Sequence, residues 1–550
     1  MRWGRVHTYA YPKWRTLLES DRTIWDDALA KAKQGPKILI ATSVGGHPHA
    51  VALESLLGAA LTLRGADVHF LLCDSLLPAC ELAETGWFPD HRRFVRRGPQ
   101  GRLCMMCFPP ANRVYGELGL RVHKYREFLG AEDLQRVEQI TGALTPAEME
   151  KHALDGIAIG EHAKAGALRF YARANLEGEP YAESVLRRYF KASLMTALVA
   201  QRLFKAADFA SATFQHGIYV PAGLIGEVAR KEGVRVVNWN IAYRKRRFIF
   251  SHGDTYHRTM MSEPTATWEY LDLTPRVEQE LLDYLKSRWQ GLRDWIGFHE
   301  RPIEDVGAIS RELGVDFDKP CIGMLTNVMW DAQLHYAANA FPSMLDWVVQ
   351  TIAYFANRPE LQLIIRVHPA EVHGTLPSRQ PIVGEIQKRF PELPRNVFII
   401  PPERPISTYA VMLKCDSVII YGTRMGVELS SQGIPVIVAG EAWIRGKGIS
   451  MDASSPEDYF RLLDQLPFGR RLPEATVRRA RAYAYHFFFR RMIPVDLVKP
   501  TTGWLPYRLD VAGLSEIFPG RNTGLDVICN GILEGSEFLY PEEAGLVAAE

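Results

Sequence analysis

The stretch Leu361-Gln362-Leu363-Ile364-Ile365-Arg366-Val367-His368-Pro369-Ala370-Glu371 decides how the second half of this 550-residue chain is read. Leu361, Leu363, Ile364 and Ile365 make a short apolar strand that runs into Arg366 and His368 before Pro369 turns the chain off the sheet. Parallel sheets bind ligands beyond the carboxyl ends of their strands, so a guanidinium and an imidazole delivered there predict an anion site. Farther on, a second apolar strand (417–421) enters the glycine loop Gly422-Thr423-Arg424-Met425-Gly426 and a helix start at 427–432. Gly433-Ile434-Pro435 then launches the strand 436–439. Together the two strand mouths predict one pocket for the phosphate and ribose of a nucleotide.

Within that pocket Arg366 and His368 are placed on the phosphate through charge-assisted bonds. Glu428, on the first turn of the helix, is suited to accept from both ribose hydroxyls, or to offset the helix dipole. Ser407 and Thr408 stand where the Pro-rich loop 401–405 becomes a helix, placed either to cap that helix or to hold a phosphate.

Outward from this segment the same βα alternation recurs. After a polar, Trp-containing leader, Gly35-Pro36 precedes a strand at 37–43, a break at Val44-Gly45-Gly46-His47-Pro48-His49, a helical pattern to 63 and a strand at 68–72. Residues 118–210 read as mainly helical, followed by strands at 212–215 and 234–238 around a helix at 220–231. A second series follows 312–320, with strands near 321–325, 361–366, 397–400, 417–421 and 435–439. The expected fold is α/β, two Rossmann-like domains facing a central cleft, with added helices. Its expected divisions are a leader (1–34), an acceptor domain with a helical insertion (35–310), a nucleotide-sugar domain (311–471) and a helical tail packing back on both (472–550).

Composition narrows the function. Apolar residues make up 47% of the chain, enough for buried sheets, and the formal charge of +2 lacks the concentrated basic face of a nucleic-acid binder. No run of eighteen apolar residues and no export signal appear, so a cytoplasmic location is expected, at the inner face of the cell membrane if peripheral. Tyr243-Arg244-Lys245-Arg246-Arg247-Phe248 reads as a solvated face or as a contact for anionic head groups. Seven cysteines in such a chain argue against a disulfide framework.

Gly45-Gly46-His47 ends the first strand and opens the first helix, where missing side chains permit close backbone approach. Phe214-Gln215-His216-Gly217 again puts polar groups at the end of an apolar strand, and Ser251-His252-Gly253-Asp254-Thr255-Tyr256-His257 gathers a carboxylate and two imidazoles in one loop. His47, His216 and Asp254 are the candidate bases for an acceptor hydroxyl. Gly46, Gln215 and Gly217 are the candidate sugar or acceptor contacts.

The first loop resembles that of GT-B glycosyltransferases such as the lipid-linked N-acetylglucosamine transferase of peptidoglycan synthesis. The second half resembles the capsule polysaccharide biosynthesis family, which includes bacterial Kdo transferases. That resemblance rests on Arg366-Val-His368-Pro369, Ser407-Thr408-Tyr409, Gly422-Thr423 with Glu428, Gly433-Ile-Pro435-Val-Ile and Gly440-Glu441-Ala-Trp443, with Gln215-His216-Gly217 as a match in the first half. It implies transfer of a sugar from a nucleotide-activated donor to a surface polysaccharide or its lipid-linked precursor. It also implies His368 on the donor phosphate, and Glu428 and Thr423 on the nucleoside. One departure stands out: many retaining GT-B enzymes carry a second glutamate eight positions before the ribose glutamate, and here that position is Ile420. The rival readings are a nucleotide-sugar 2-epimerase, a polyol-phosphate transferase and a non-enzymatic scaffold of a polysaccharide assembly complex.

Transfer of this kind requires no metal if Arg, His and helix amino ends carry the charge. Cys73, Cys80, Cys104 and Cys107 nevertheless fall close together, and Cys104-Met-Met-Cys107 has the spacing of a metal knuckle. Zinc or an iron-sulfur cluster is the metal alternative; burial as small hydrophobes is the plain one.

Overall fold

In the computed structural model, residues 11–289, 293–295, 297, 299, 301–331, 339–501 and 505–541 are described. They form two compact units: Met1–Tyr171 with Asn175–Thr259 and Phe489–Glu550, and Ala172–Ala174 with Met260–Phe488. Residues 1–10 of the expected leader lie outside the described residues.

The first unit is built on the strands β1 (Lys37–Ser43), β2 (Asp67–Leu72), β3 (Arg121–Lys124), β4 (Phe209–Gln215), β5 (Arg235–Ile241) and β6 (Arg247–His252). Their order is β6-β5-β4-β1-β2-β3, and all neighbours are parallel except β5 and β6. Six of the seven residues of β1 are buried, which is why the strand reads as a continuous apolar run rather than an alternation. The helix Pro48–Leu63 is buried on almost every side, so its small and aliphatic residues wrap the whole cylinder.

The second unit carries β7 (Cys321–Leu325), β8 (Gln362–Arg366), β9 (Val397–Ile400), β10 (Ser417–Ile420), β11 (Val436–Val438) and β12 (Met451–Asp452), ordered β12-β11-β10-β7-β8-β9 and parallel throughout. Trp347, Phe355, Ile365, Ile419 and Tyr459 are among the buried side chains of its core.

The last segment returns to the first unit as β13 (Ile493–Pro494), which pairs antiparallel with β6, and as the ribbon β14 (Val498–Pro500) and β15 (Tyr507–Leu509). The expected divisions shift accordingly. The segment from Met260, expected with the first domain, belongs to the second unit, and the tail divides at Phe488 instead of forming one block. The described part of the leader is no separate element either: Trp14 and Trp25 are fully buried, and Trp25 Nε1 donates to the Leu118 carbonyl at 3.0 Å. Indole rings of that size bury too much apolar surface to be left on a polar arm.

The basic cluster at 243–248 also finds internal work. Arg246 donates to the carbonyls of Val498 (3.1 Å) and Asp496 (2.8 Å), Arg247 to that of Met492 (3.1 Å), and Arg244 lies over the Phe489 ring. These arginines hold the returning segment, which accounts for them without a lipid surface. Among the described residues no helix is long and apolar enough to cross a membrane.

Candidate functional site

In the second unit, β7, β8 and β9 extend the sheet in one direction and β10, β11 and β12 in the other, so the strand order reverses between β7 and β10. Open parallel sheets bind ligands at such a reversal, outside the carboxyl ends of the strands. The mouths of β8 and β10 flank β7 there, two strand spacings or roughly 10 Å apart. The loop after β7 ties them together: Thr326 Oγ1 accepts from the His368 amide at 3.2 Å, and Asn327 Nδ2 donates to the Gly422 carbonyl at 3.4 Å. Segments 366–368 and 422–428 therefore share one edge of the sheet. Thr326 and Asn327 were legible by the same rule that selects Arg366 and His368, because they directly follow an apolar strand.

His368 accepts from the Ala370 amide through Nδ1 at 3.1 Å, so the neutral ring carries its proton on Nε2 as a donor. Burial first, then the positive charges of Arg424 and Arg366, lower its pKa to about 3. At neutral pH it is a hydrogen-bond donor without net charge.

Arg366 differs from the expectation. It is 2% exposed, and its guanidinium donates to the carbonyls of Pro401 (2.7 Å) and Arg404 (3.2 Å) and to Thr408 Oγ1 (3.3 Å). Burial lowers its pKa to about 10. The donors expected on a phosphate are instead spent on the 401–408 loop, making Arg366 a brace for that loop. Ser407 caps the helix Thr408–Met412, accepting from the Ala410 amide at 3.3 Å. Thr423 Oγ1 accepts from the Met425 amide at 3.4 Å. Gly440 is required by close approach, since a Cβ there would stand 2.4 Å from the Tyr421 carbonyl oxygen.

Glu428 also departs from its expected ribose role. It is 2% exposed, accepts from Tyr409 Oη at 2.5 Å and pairs with Arg288 Nε at 3.2 Å. Arg288 in turn pairs with the buried Asp294 and donates to Tyr284 Oη at 2.8 Å. Arg424 Nε lies 3.7 Å from the other carboxylate oxygen of Glu428. This is an internal ionic network, and its Arg288 and Asp294 carry no sequence signal that separates them from surface charge.

The first unit has its own reversal, between β1 and β4. The carboxyl ends of those strands bring together Gly45, Gly46 and His47 with Gln215, His216 and Gly217, and the Gln215 amide donates to Thr42 Oγ1 at 2.9 Å. His47 Nε2 lies 3.5 Å from the Glu81 carboxylate. His216, with φ of +64°, stacks on Tyr219, and half-buried His257 lies close enough for its pKa, lowered to about 3 mainly by burial, to fall further under the His216 charge. His257 closes the 251–257 run whose two histidines and aspartate the sequence brought into view.

Asp254 follows β6, which runs antiparallel to β5, and its carboxylate lies 3.8 Å from Arg230 and 3.7 Å from Arg258, while the next residue, Thr255, comes within 3.3 Å of where a Cβ at Gly217 would stand.

Beneath β1 lies a carboxyl that the sequence did not flag. Glu54, 2% exposed, accepts from Thr42, from Tyr115 Oη (3.1 Å) and from Trp239 Nε1 (3.2 Å). Burial raises its pKa to about 7 against these three hydrogen bonds. Gly45 sits against the helix Arg102–Glu117: a Cβ would lie 2.4 Å from Ala111 Cβ and 2.5 Å from the Cys107 carbonyl oxygen. Gly45→Ala is therefore expected to destabilise the first unit by about 1–3 kcal/mol. Urea denaturation checks this, and a midpoint equal to that of the parent chain would refute the contact.

Residues 315–481 match the family model of the capsule polysaccharide biosynthesis protein. No curated protein matches the chain. Among solved structures, the beta Kdo 2,4 transferase KpsC of Thermosulfurimonas dismutans is 14% identical, covers 50% of this chain and 79% of its own, and superposes with a TM-score of 0.34. The UDP-GlcNAc 2-epimerase of Neisseria meningitidis bound to UDP-GlcNAc is 9% identical, covers 81% and 97% respectively, and gives 0.25. Likenesses of this size bear on neither mechanism nor substrate. The matched residues 315–481 hold every strand of the second sheet together with His368, Gly422 and Glu428.

Proposed function

We propose that the chain is a glycosyltransferase of the GT-B type. It moves a sugar from a nucleotide-activated donor to a capsule-type polysaccharide or its lipid-linked precursor. The observation that carries this reading is the junction of Thr326, Asn327, His368 and the Gly422-Thr423 loop at the reversal of the second sheet, inside the family-matched segment.

In this reading the Nε2–H of His368 donates to a phosphate oxygen of the donor, with the positive charge of Arg424 nearby. Both stabilise the negative charge that grows on the leaving group as the glycosidic bond breaks. Arg366 acts through the loop it holds. Thr423 and the backbone around Gly422 meet the nucleoside. In the first unit His47, beside Glu81, and His216 are the candidate groups to take the proton of the acceptor hydroxyl.

The test is a thermal-shift panel of UDP, GDP, CMP and CDP, followed by turnover with the responding donor. One base is expected to raise the melting temperature selectively, because a ligand that binds only the folded state stabilises it by about 2.7 kcal/mol at a hundredfold excess over Kd. His368→Ala is expected to lower kcat/KM by about 10²–10³-fold, the loss typical of one preorganised donor. Epimer formation from the nucleotide sugar alone, without acceptor, would replace transfer by epimerisation. A nucleotide-alcohol donor would point to polyol-phosphate transfer, and indifference to all four nucleotides would leave the scaffold reading.

A further inference from the structure

Cys73, Cys80, Cys104 and Cys107 line one cavity in the first unit, together with Ser43, Val44, Ser75, Leu77, Leu82 and Phe108. They arrive on three separate pieces of chain. Cys73 directly follows β2, Cys80 lies in the loop beyond it, and Cys104 and Cys107 stand one turn apart on the helix Arg102–Glu117. The atom-free space among the lining residues, its open mouth included, is about 350 Å³.

We propose that these four cysteines hold an iron-sulfur cluster of the four-iron type, which braces the Gly45-Gly46 loop ahead of His47.

Two observations support it. First, the backbone turns toward the sulfurs. Hydrogen bonds from Ser75, Leu76 and Leu77 reach Cys73, one from Leu82 reaches Cys80, those from Gly45 and Gly46 reach Cys107, and the Ser75 side chain bonds Cys104. Donors aimed at sulfur stabilise thiolate and cluster charge. Second, Ser43 (φ +63°) and Ser75 (φ +67°), both lining residues, hold left-handed backbone that L side chains rarely adopt. Strain of this kind gathers where surrounding structure must be over-determined, as around a bound group.

All four cysteines line the cavity, and among the described residues no group of three His, Cys, Asp or Glu could hold a single ion. A zinc knuckle needs closure on one point, whereas a four-iron cluster takes one thiolate at each corner.

The full chain purified anaerobically is expected to contain iron and acid-labile sulfide in equal amounts, about four of each per chain. It should also show a visible charge-transfer absorption that dithionite bleaches. Cys80→Ser and Cys104→Ser are expected to lose most of the iron, while Cys529→Ala, in a helix away from the cavity, keeps it. If the serine variants do not fold, the metal and sulfide content of the parent chain remains the deciding measurement. Zinc alone at one per chain overturns the proposal, as does metal-free protein whose cavity thiols all react with a thiol reagent after anaerobic unfolding. Nucleotide binding in the thermal-shift panel is read separately, so either reading can fail without the other.

Discussion

Glu428→Ala is expected to destabilise the second unit by about 3–5 kcal/mol, the cost of leaving a buried charge without its partner. Arg288, with a side chain only 1% exposed, would keep Asp294 but lose the carboxylate at its Nε, and the Tyr409 hydroxyl would lose its acceptor. Glu428→Gln should cost less, since an amide oxygen still accepts from Tyr409. Urea unfolding followed by tryptophan fluorescence measures the difference. If the alanine variant stays within 1 kcal/mol of the parent, Glu428 is not bound into the network in solution, and the ribose role read from its helix position returns. Any loss of transfer in this variant has to be weighed against its stability, which is why His368 rather than Glu428 is the functional probe.

Glu54→Gln should change the pH dependence of stability by about 3 kcal/mol. The folded pKa of Glu54, raised by burial to about 7, lies above the ordinary value of 4.5. Below pH 4.5 both folded and unfolded chains hold the proton, and the contribution is fully present. Between 4.5 and 7 the unfolded chain ionises first, so stability falls as pH rises through that window, by 1.36 kcal/mol for each unit of separation. Glutamine does not titrate. The stability of the variant relative to the parent should therefore climb from pH 4.5 to 7.5 and then level off. A difference that stays constant across this range would show that Glu54 ionises normally beneath β1.

Much of the second sheet was legible because parallel strands buried on both faces read as unbroken apolar runs, and glycines and prolines punctuate their ends. The strands expected near 321–325, 361–366, 397–400 and 417–421 are found as β7, β8, β9 and β10. β6 was missed because a hairpin partner has no crossover helix to announce it. The roles of Arg366 and Glu428 were not legible for a different reason. A charged residue at a strand mouth looks the same in sequence whether it faces a ligand or a loop carbonyl, and Pro401, Arg404, Arg288 and Tyr409 decide which.

What the sequence determined by itself is the order and kind of elements, the βα alternation, and the delivery of polar residues to strand ends, because these depend on local periodicity and turn chemistry. Only the tertiary structure decided which strand ends are neighbours and which buried charges answer each other. Strand order in a sheet is set by contacts far apart in the chain. The energy of an ion inside a protein is set by every group packed around it, and neither is written in any local stretch.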